Sequence, residues 1–122
     1  MAIYNREDAR SALPQLEKKV DGLYNYIQYA PQFHQCTNGA YTRCYRIGNL
    51  VALSFNINIT TATSAYDYIT DIPKAIGNFA CCGVGASTTV RLFITPMGTL
   101  RSDGAPPTGW LNGSVVYIAK ET

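Results

Sequence analysis

The stretch Leu50 to Ile59 constrains this chain more than any other. Val51, Leu53, Phe55, Ile57 and Ile59 point one way if the backbone is extended, while Ser54, Asn56, Asn58 and Thr60 point the other. Successive side chains of a strand alternate between faces, so this pattern describes a long strand with one buried face. Gly48-Asn49 precedes it, a two-residue connection with glycine first, and residues 42–47 supply the partner strand of a tight hairpin. With that turn, Ile47 stands opposite Leu50 and Tyr45 opposite Ala52. The outward face near the hairpin is then apolar as well, and a second burial surface is expected there.

Period two continues to the end of the chain. Residues 66–72 read as a short strand closed by Pro73, and residues 78–84 as a small-residue strand between glycines. Residues 88–95 place Val90, Leu92 and Ile94 on one face with Arg91 and Phe93 on the other, and Pro96-Met97-Gly98 turns the chain into residues 99–102. After a loop over residues 103–109, with Pro106-Pro107, residues 110–119 form a last strand carrying Leu111, Val115 and Tyr117 on one face. About seven strands follow, with no helical period after residue 30, so the fold class expected is an all-β antiparallel sandwich or barrel. A parallel sheet would need crossover helices that this stretch lacks.

The opening has a different rhythm. Ala9, Leu13, Leu16, Val20, Leu23, Ile27 and Ala30 recur at alternating intervals of four and three, the spacing of a heptad seam. Asn5 or Ser11 can cap a helix, Pro14 is tolerated only in a first turn, and Pro31 stops it. A lone helix of about two heptads is marginal in water, and so narrow a seam fits sister helices better than a sheet. Leu13, Leu16, Val20, Leu23 and Ile27 are therefore the expected seam of a coiled coil, which the spacing leaves open as dimer or trimer. The division expected is residues 1–30 as N-terminal segment and coiled-coil helix, 31–40 as linker, and 41–122 as β head. At 122 residues there is room for one compact domain with a short appendage.

Composition removes several classes of function. Ten Lys and Arg against eight Asp and Glu leave no basic excess for nucleic acid. No apolar run approaches the roughly 20 residues of a membrane span. Residues 1–10 carry Arg6, Glu7, Asp8 and Arg10 rather than the apolar core of a signal peptide, so synthesis and folding in the cytoplasm are expected. Cys36, Cys44, Cys81 and Cys82 lack metal-ligand spacing and are expected to be buried free thiols; Cys81 and Cys82, being adjacent, point to opposite faces of a strand. No metal or other cofactor is expected.

The β-rich portion, roughly residues 41–119, resembles the jelly-roll heads of phage and prophage tail receptor-binding and baseplate proteins of Gram-positive bacteria. Tyr45-Arg46-Ile47-Gly48-Asn49-Leu50-Val51 opening a long alternating strand, the short strand from Ile69 to Pro73, the hairpin from Val90 to Gly98, and Gly109-Trp110-Leu111 with Gly113 and Tyr117-Ile118 carry the likeness. It implies a jelly-roll homotrimer gathered by a helical stem, placed on the virion, made in the host bacterial cytoplasm, and contacting other virion proteins and a host-surface polysaccharide. Since only residues 1–10 precede the helix, a second reading is a trimeric capsid decoration or head-fibre protein without glycan binding.

Catalysis is not expected. His34, the single histidine, sits in the linker and is read as solvated or hydrogen-bonding, and Asp67, Asp71 and Asp103 cannot be placed at glycosidase separations from sequence. Binding is easier to support, because saccharide recognition uses aromatic faces and planar polar groups on loop tips. Tyr66, Asp67, Tyr68, Arg101 and Asp103 have that content and are the candidate ligand-binding residues, against the plainer reading of strand tyrosines and a turn aspartate. Trp110, beside Gly109 at a strand start, is expected to plug the core or a subunit interface. Arg46 and Arg91, within strands, are expected to pair with carboxylates near an interface.

Overall fold

The computed structural model describes residues 26–121. Ten strands occur among them: β1 (Ile27–Tyr29), β2 (Gln32–Phe33), β3 (Cys36–Asn38), β4 (Arg43–Ile47), β5 (Leu50–Ile59), β6 (Asp67–Thr70), β7 (Phe79–Val84), β8 (Thr89–Ile94), β9 (Leu100–Ser102) and β10 (Gly109–Ile118). Every pairing is antiparallel. None of the described residues forms a helix long and apolar enough to cross a membrane.

The strands run in the order β1-β4-β5-β10-β7-β8-β9-β6-β2, with β3 added on β5. β10 follows β5 over ten residue pairs, from Gly109 opposite Ile59 to Ile118 opposite Leu50. It meets β7 at a single pair, Asn112 opposite Val84. At this joint the sheet bends into two halves that share one core. β5 contributes Val51, Leu53, Phe55, Ile57 and Ile59, β10 contributes Leu111 and Tyr117, and the other half contributes Tyr68, Ile69, Leu92, Ile94 and Leu100. The alternation of β5 is the cause: its inward set is at most 2% exposed, and each neighbour's inward set stands beside it in register.

β7, β8 and β9 form a meander and β10 returns beside β7, the spatial order of a Greek key. The jelly roll expected from the resemblance has two such keys. β6, placed beside β9, makes a second set in that order that shares β7, β8 and β9 with the first, and the two-residue turn of the β4–β5 hairpin sets Ile47 opposite Leu50 and puts Gly48 at φ +59°.

The N-terminal expectation requires correction where it can be compared. Ile27 is not on a helix but in β1, which lies along β4 with Ile27 opposite Arg46 and Tyr29 opposite Cys44. The expected linker holds two strands. β2 pairs with β6, and Gln35, at φ +54°, turns the chain so that β3 pairs with Cys36 opposite Ile59 on β5. This corner joins the far edge of one half-sheet to the other, and the Gln35 carbonyl accepts from the Thr60 amide at 2.9 Å. The seam positions Leu13, Leu16, Val20 and Leu23 lie outside the described residues.

Cys36 and Cys44 are buried free thiols, as expected, but Cys81 is half-buried and Cys82 exposed. Burial pushes the Cys44 thiol up to about 11 and raises that of Cys36. Arg46 points inward at 7% exposure and, among the described residues, pairs with no carboxylate; it donates to the carbonyls of Gly48 (2.7 Å) and Lys120 (2.9 Å) and to Asn49 Oδ1 (3.0 Å). The chain end is thereby tied to the hairpin. Arg91 instead lies over the Phe93 ring, 4.8 Å from its centroid.

Candidate functional site

Five candidate residues came from two sequence segments, and pairing between β6 and β9 brings those segments together. Asp67 stands directly opposite Arg101, and the side chains meet, Arg101 Nη1 to Asp67 Oδ1 at 3.1 Å. The same carboxylate oxygen accepts from Thr99 Oγ1 at 3.1 Å, which aims it along the strand. Both partners of the ion pair are about two-fifths exposed, so the pair adds little stability. Its value is that a cationic and an anionic planar group stand side by side at the surface.

The register shifts between Asp67 and Ile69. At this bulge alternation fails, and both Tyr68 and Ile69 turn inward, at 1% and 0% exposure. Tyr68 is therefore not a surface contact, which corrects the expectation for it. Its hydroxyl donates to the Thr61 carbonyl at 2.9 Å and accepts from the Thr63 amide at 2.9 Å, holding the loop before β6 from beneath. Tyr66 packs edge-on against it, ring centroids 5.0 Å apart. The Tyr66 amide donates to Ser102 Oγ at 3.2 Å, so its main chain is tied to β9 while its ring rests on Tyr68 and remains half-exposed.

Ala65, His34 and Thr70 complete the surroundings. The β2–β6 pairing carries His34 to β6, where His34 Nε2 and Thr70 Oγ1 lie 2.8 Å apart. This is the hydrogen-bonding role expected of the histidine. His34, Ala65, Tyr66, Asp67, Thr70 and Arg101 line an open depression of about 280 Å3. Asp103 does not line it; its carbonyl accepts from the Ala65 amide at 3.3 Å, so it acts as a loop support. His34 and Thr70 were missed from sequence, since nothing local shows that residue 34 reaches β6.

Chemically the depression offers an aromatic face, a carboxylate, a guanidinium, a hydroxyl and an imidazole. Among the described residues no group of three or more His, Cys, Asp or Glu is placed to hold a metal ion. A second depression, about 240 Å3, lies between residues 85–88 and 107–110, with Trp110 on its rim. Trp110 is 52% exposed and outward-facing, so it does not plug the core.

These features define an antiparallel all-β head with a polar, aromatic depression on one outer face. The fold is similar to that of the receptor binding protein (gp15) of Listeria phage PSA, known from its crystal structure: TM-score 0.59, 15% sequence identity, over 98% of this chain and 83% of that one. At that identity the likeness is one of fold. No protein-family model matches the chain, and no curated protein matches it significantly.

Proposed function

We propose that this chain is the receptor-binding head of a phage virion, carried as a homotrimer on a tail fibre or baseplate, and that it takes host-surface saccharide in the depression around Tyr66. It is then assembled with other virion proteins in the cytoplasm of the host bacterium. The observation that carries the reading is the Asp67–Arg101 pair beside the fixed ring of Tyr66. A sugar hydroxyl both donates and accepts, so it can give its proton to the carboxylate and take one from the guanidinium. The faces of sugar rings present C–H groups that pack on an aromatic side chain. The fold likeness to a phage receptor binding protein supports the same role.

An open depression of this volume holds a short part of a polymer and leaves the rest in water. Affinity per site is accordingly weak, and three linked heads engaging one repetitive surface gain by effective concentration. The reading is non-catalytic: incubation with the polymer leaves its chain length unchanged.

The test is binding of the purified chain to cell walls of susceptible hosts before and after their polysaccharide is stripped. Binding should vanish with the polymer, and Tyr66→Ala and Arg101→Ala should each weaken it while the fold persists. No binding to any susceptible host's envelope overturns the proposal. Immunogold label on the capsid instead of the tail would replace it with the decoration-protein reading.

A further inference from the structure

We propose that the outward face of the half-sheet β1-β4-β5-β10 is the surface through which copies of this chain meet. The inference rests on the homotrimer of the proposed function and is independent of the saccharide.

The ten outward positions of β5 and β10 include no Asp, Glu, Lys or Arg. In register across the sheet, Leu50 stands beside Ile47 and Ile118, and Ala52 beside Tyr45 and Val116. Ile47, Leu50, Val116 and Ile118 are between 45% and 62% exposed. A contiguous apolar patch spread over three adjacent strands marks an interaction surface on a water-soluble body. Loss of charge from its centre is the compositional signature of an interface core. β4 adds one charge to this face, Arg43 opposite Ser54, whereas the outward positions of β8 and β9 carry Arg91 and Arg101.

What covers the patch follows from where the chain enters it. Tyr26, the first described residue, lies against Tyr45 on this same face, rings edge to face at 5.1 Å. Leu23 of the heptad seam is three residues earlier, and three residues span at most about 11 Å. Copies joined along that seam must bring their Tyr26 residues close to the common axis. The face bearing Tyr26 then turns toward the same face of its neighbours. The aliphatic part of this face carries no charge and can meet its own copies without like-charge repulsion; Arg43, opposite Ser54 and donating to the Ala40 and Thr42 carbonyls, stands at its margin. The Tyr66 depression, on the outward side of the other half-sheet, stays open.

The test uses the full chain in sedimentation equilibrium from nanomolar to micromolar concentration. Wild type should approach three chains, and Leu50→Lys with Val116→Lys should raise the concentration of half-dissociation by at least roughly tenfold. Met97→Lys, a substitution in the exposed β8–β9 turn, should leave the mass as in wild type. In case the lysines disturb folding, Ala52→Cys provides a milder probe, with maleimide labelling read at residue 52 by mass spectrometry. Residue 52 should be protected where the chain is associated and reactive after dilution. If the double lysine variant stays associated, or residue 52 reacts equally at both extremes, the face is not the interface. Should Leu16→Asp with Leu23→Asp then still dissociate the chain, the homotrimer stands and this inference alone fails. A wild type monomeric at every concentration overturns both, and protection of residue 52 solely by another virion protein overturns the self-association.

Discussion

Gly113 stands in the middle of the β5–β10 ladder, opposite Phe55 on the core face, and follows Asn112, where β10 also touches β7. A Cβ there would fall 2.3 Å from Phe55 Cζ and 2.4 Å from the carbonyl oxygen of Cys82. The ring can tilt, but the carbonyl belongs to the β7 backbone and cannot rotate away. Gly113→Ala therefore spreads the joint between the half-sheets. Overpacking of this kind costs about 1–3 kcal/mol, and the backbone clash places it at the upper end. Alanine's smaller unfolded-state entropy returns about 0.4–1 kcal/mol. A net loss of about 2 kcal/mol remains, which for a domain of this size lowers the melting temperature by roughly 8–16 °C. Circular dichroism melts at one fixed chain concentration measure it, since association adds a mass-action contribution. Gly77→Ala is the control: nothing lies within 4 Å of its added Cβ, and it should melt at or slightly above wild type. Combining Gly113→Ala with Phe55→Leu should destabilise by less than the sum of the two alone, the difference exceeding about 0.5 kcal/mol. A Gly113→Ala protein as stable as wild type would refute the account of the joint.

Three further outcomes are expected. Tyr68→Phe removes the hydroxyl that holds Thr61 and Thr63; chemical denaturation should show a loss of about 1–3 kcal/mol, and saccharide binding should weaken because the support of Tyr66 loosens. In Arg46→Met the Lys120 carbonyl loses its donor, and faster amide exchange at Ala119 and Lys120 should accompany a loss of about 2 kcal/mol. Alkali should destabilise the fold through its buried thiols. Cys44 is raised from 9.0 to about 11 by burial, so it keeps its proton in the folded chain after the unfolded chain has lost it. Stability from this group is whole below about pH 9, falls above it by at most about 1.4 kcal/mol per pH unit, and is spent near the folded value. Urea titrations at pH 8, 9.5 and 10.5 should show the decline, and Cys44→Ala should flatten it.

The sequence by itself determined what depends on neighbouring residues. The β4–β5 hairpin, the inward sets of β5, β8 and β10 and the turn at Pro96-Met97-Gly98 were legible because strand alternation and turn chemistry are local properties of the backbone. So was the apolar outward surface beside the hairpin, whose residues the structure leaves exposed. β6, by contrast, ends at Thr70, before Asp71 at φ +62°, and not at Pro73. Tertiary structure decided the rest. β1, β2 and β3 are two or three residues long, too short to display a period, and exist because β4, β6 and β5 offer them edges. The bulge that turns Tyr68 inward and the register that sets Asp67 beside Arg101 belong to a pairing between segments more than thirty residues apart. His34 joins them only through the pairing of β2 with β6. Hydrogen bonds between distant strands fix which side chains share a surface, and no local pattern encodes that choice.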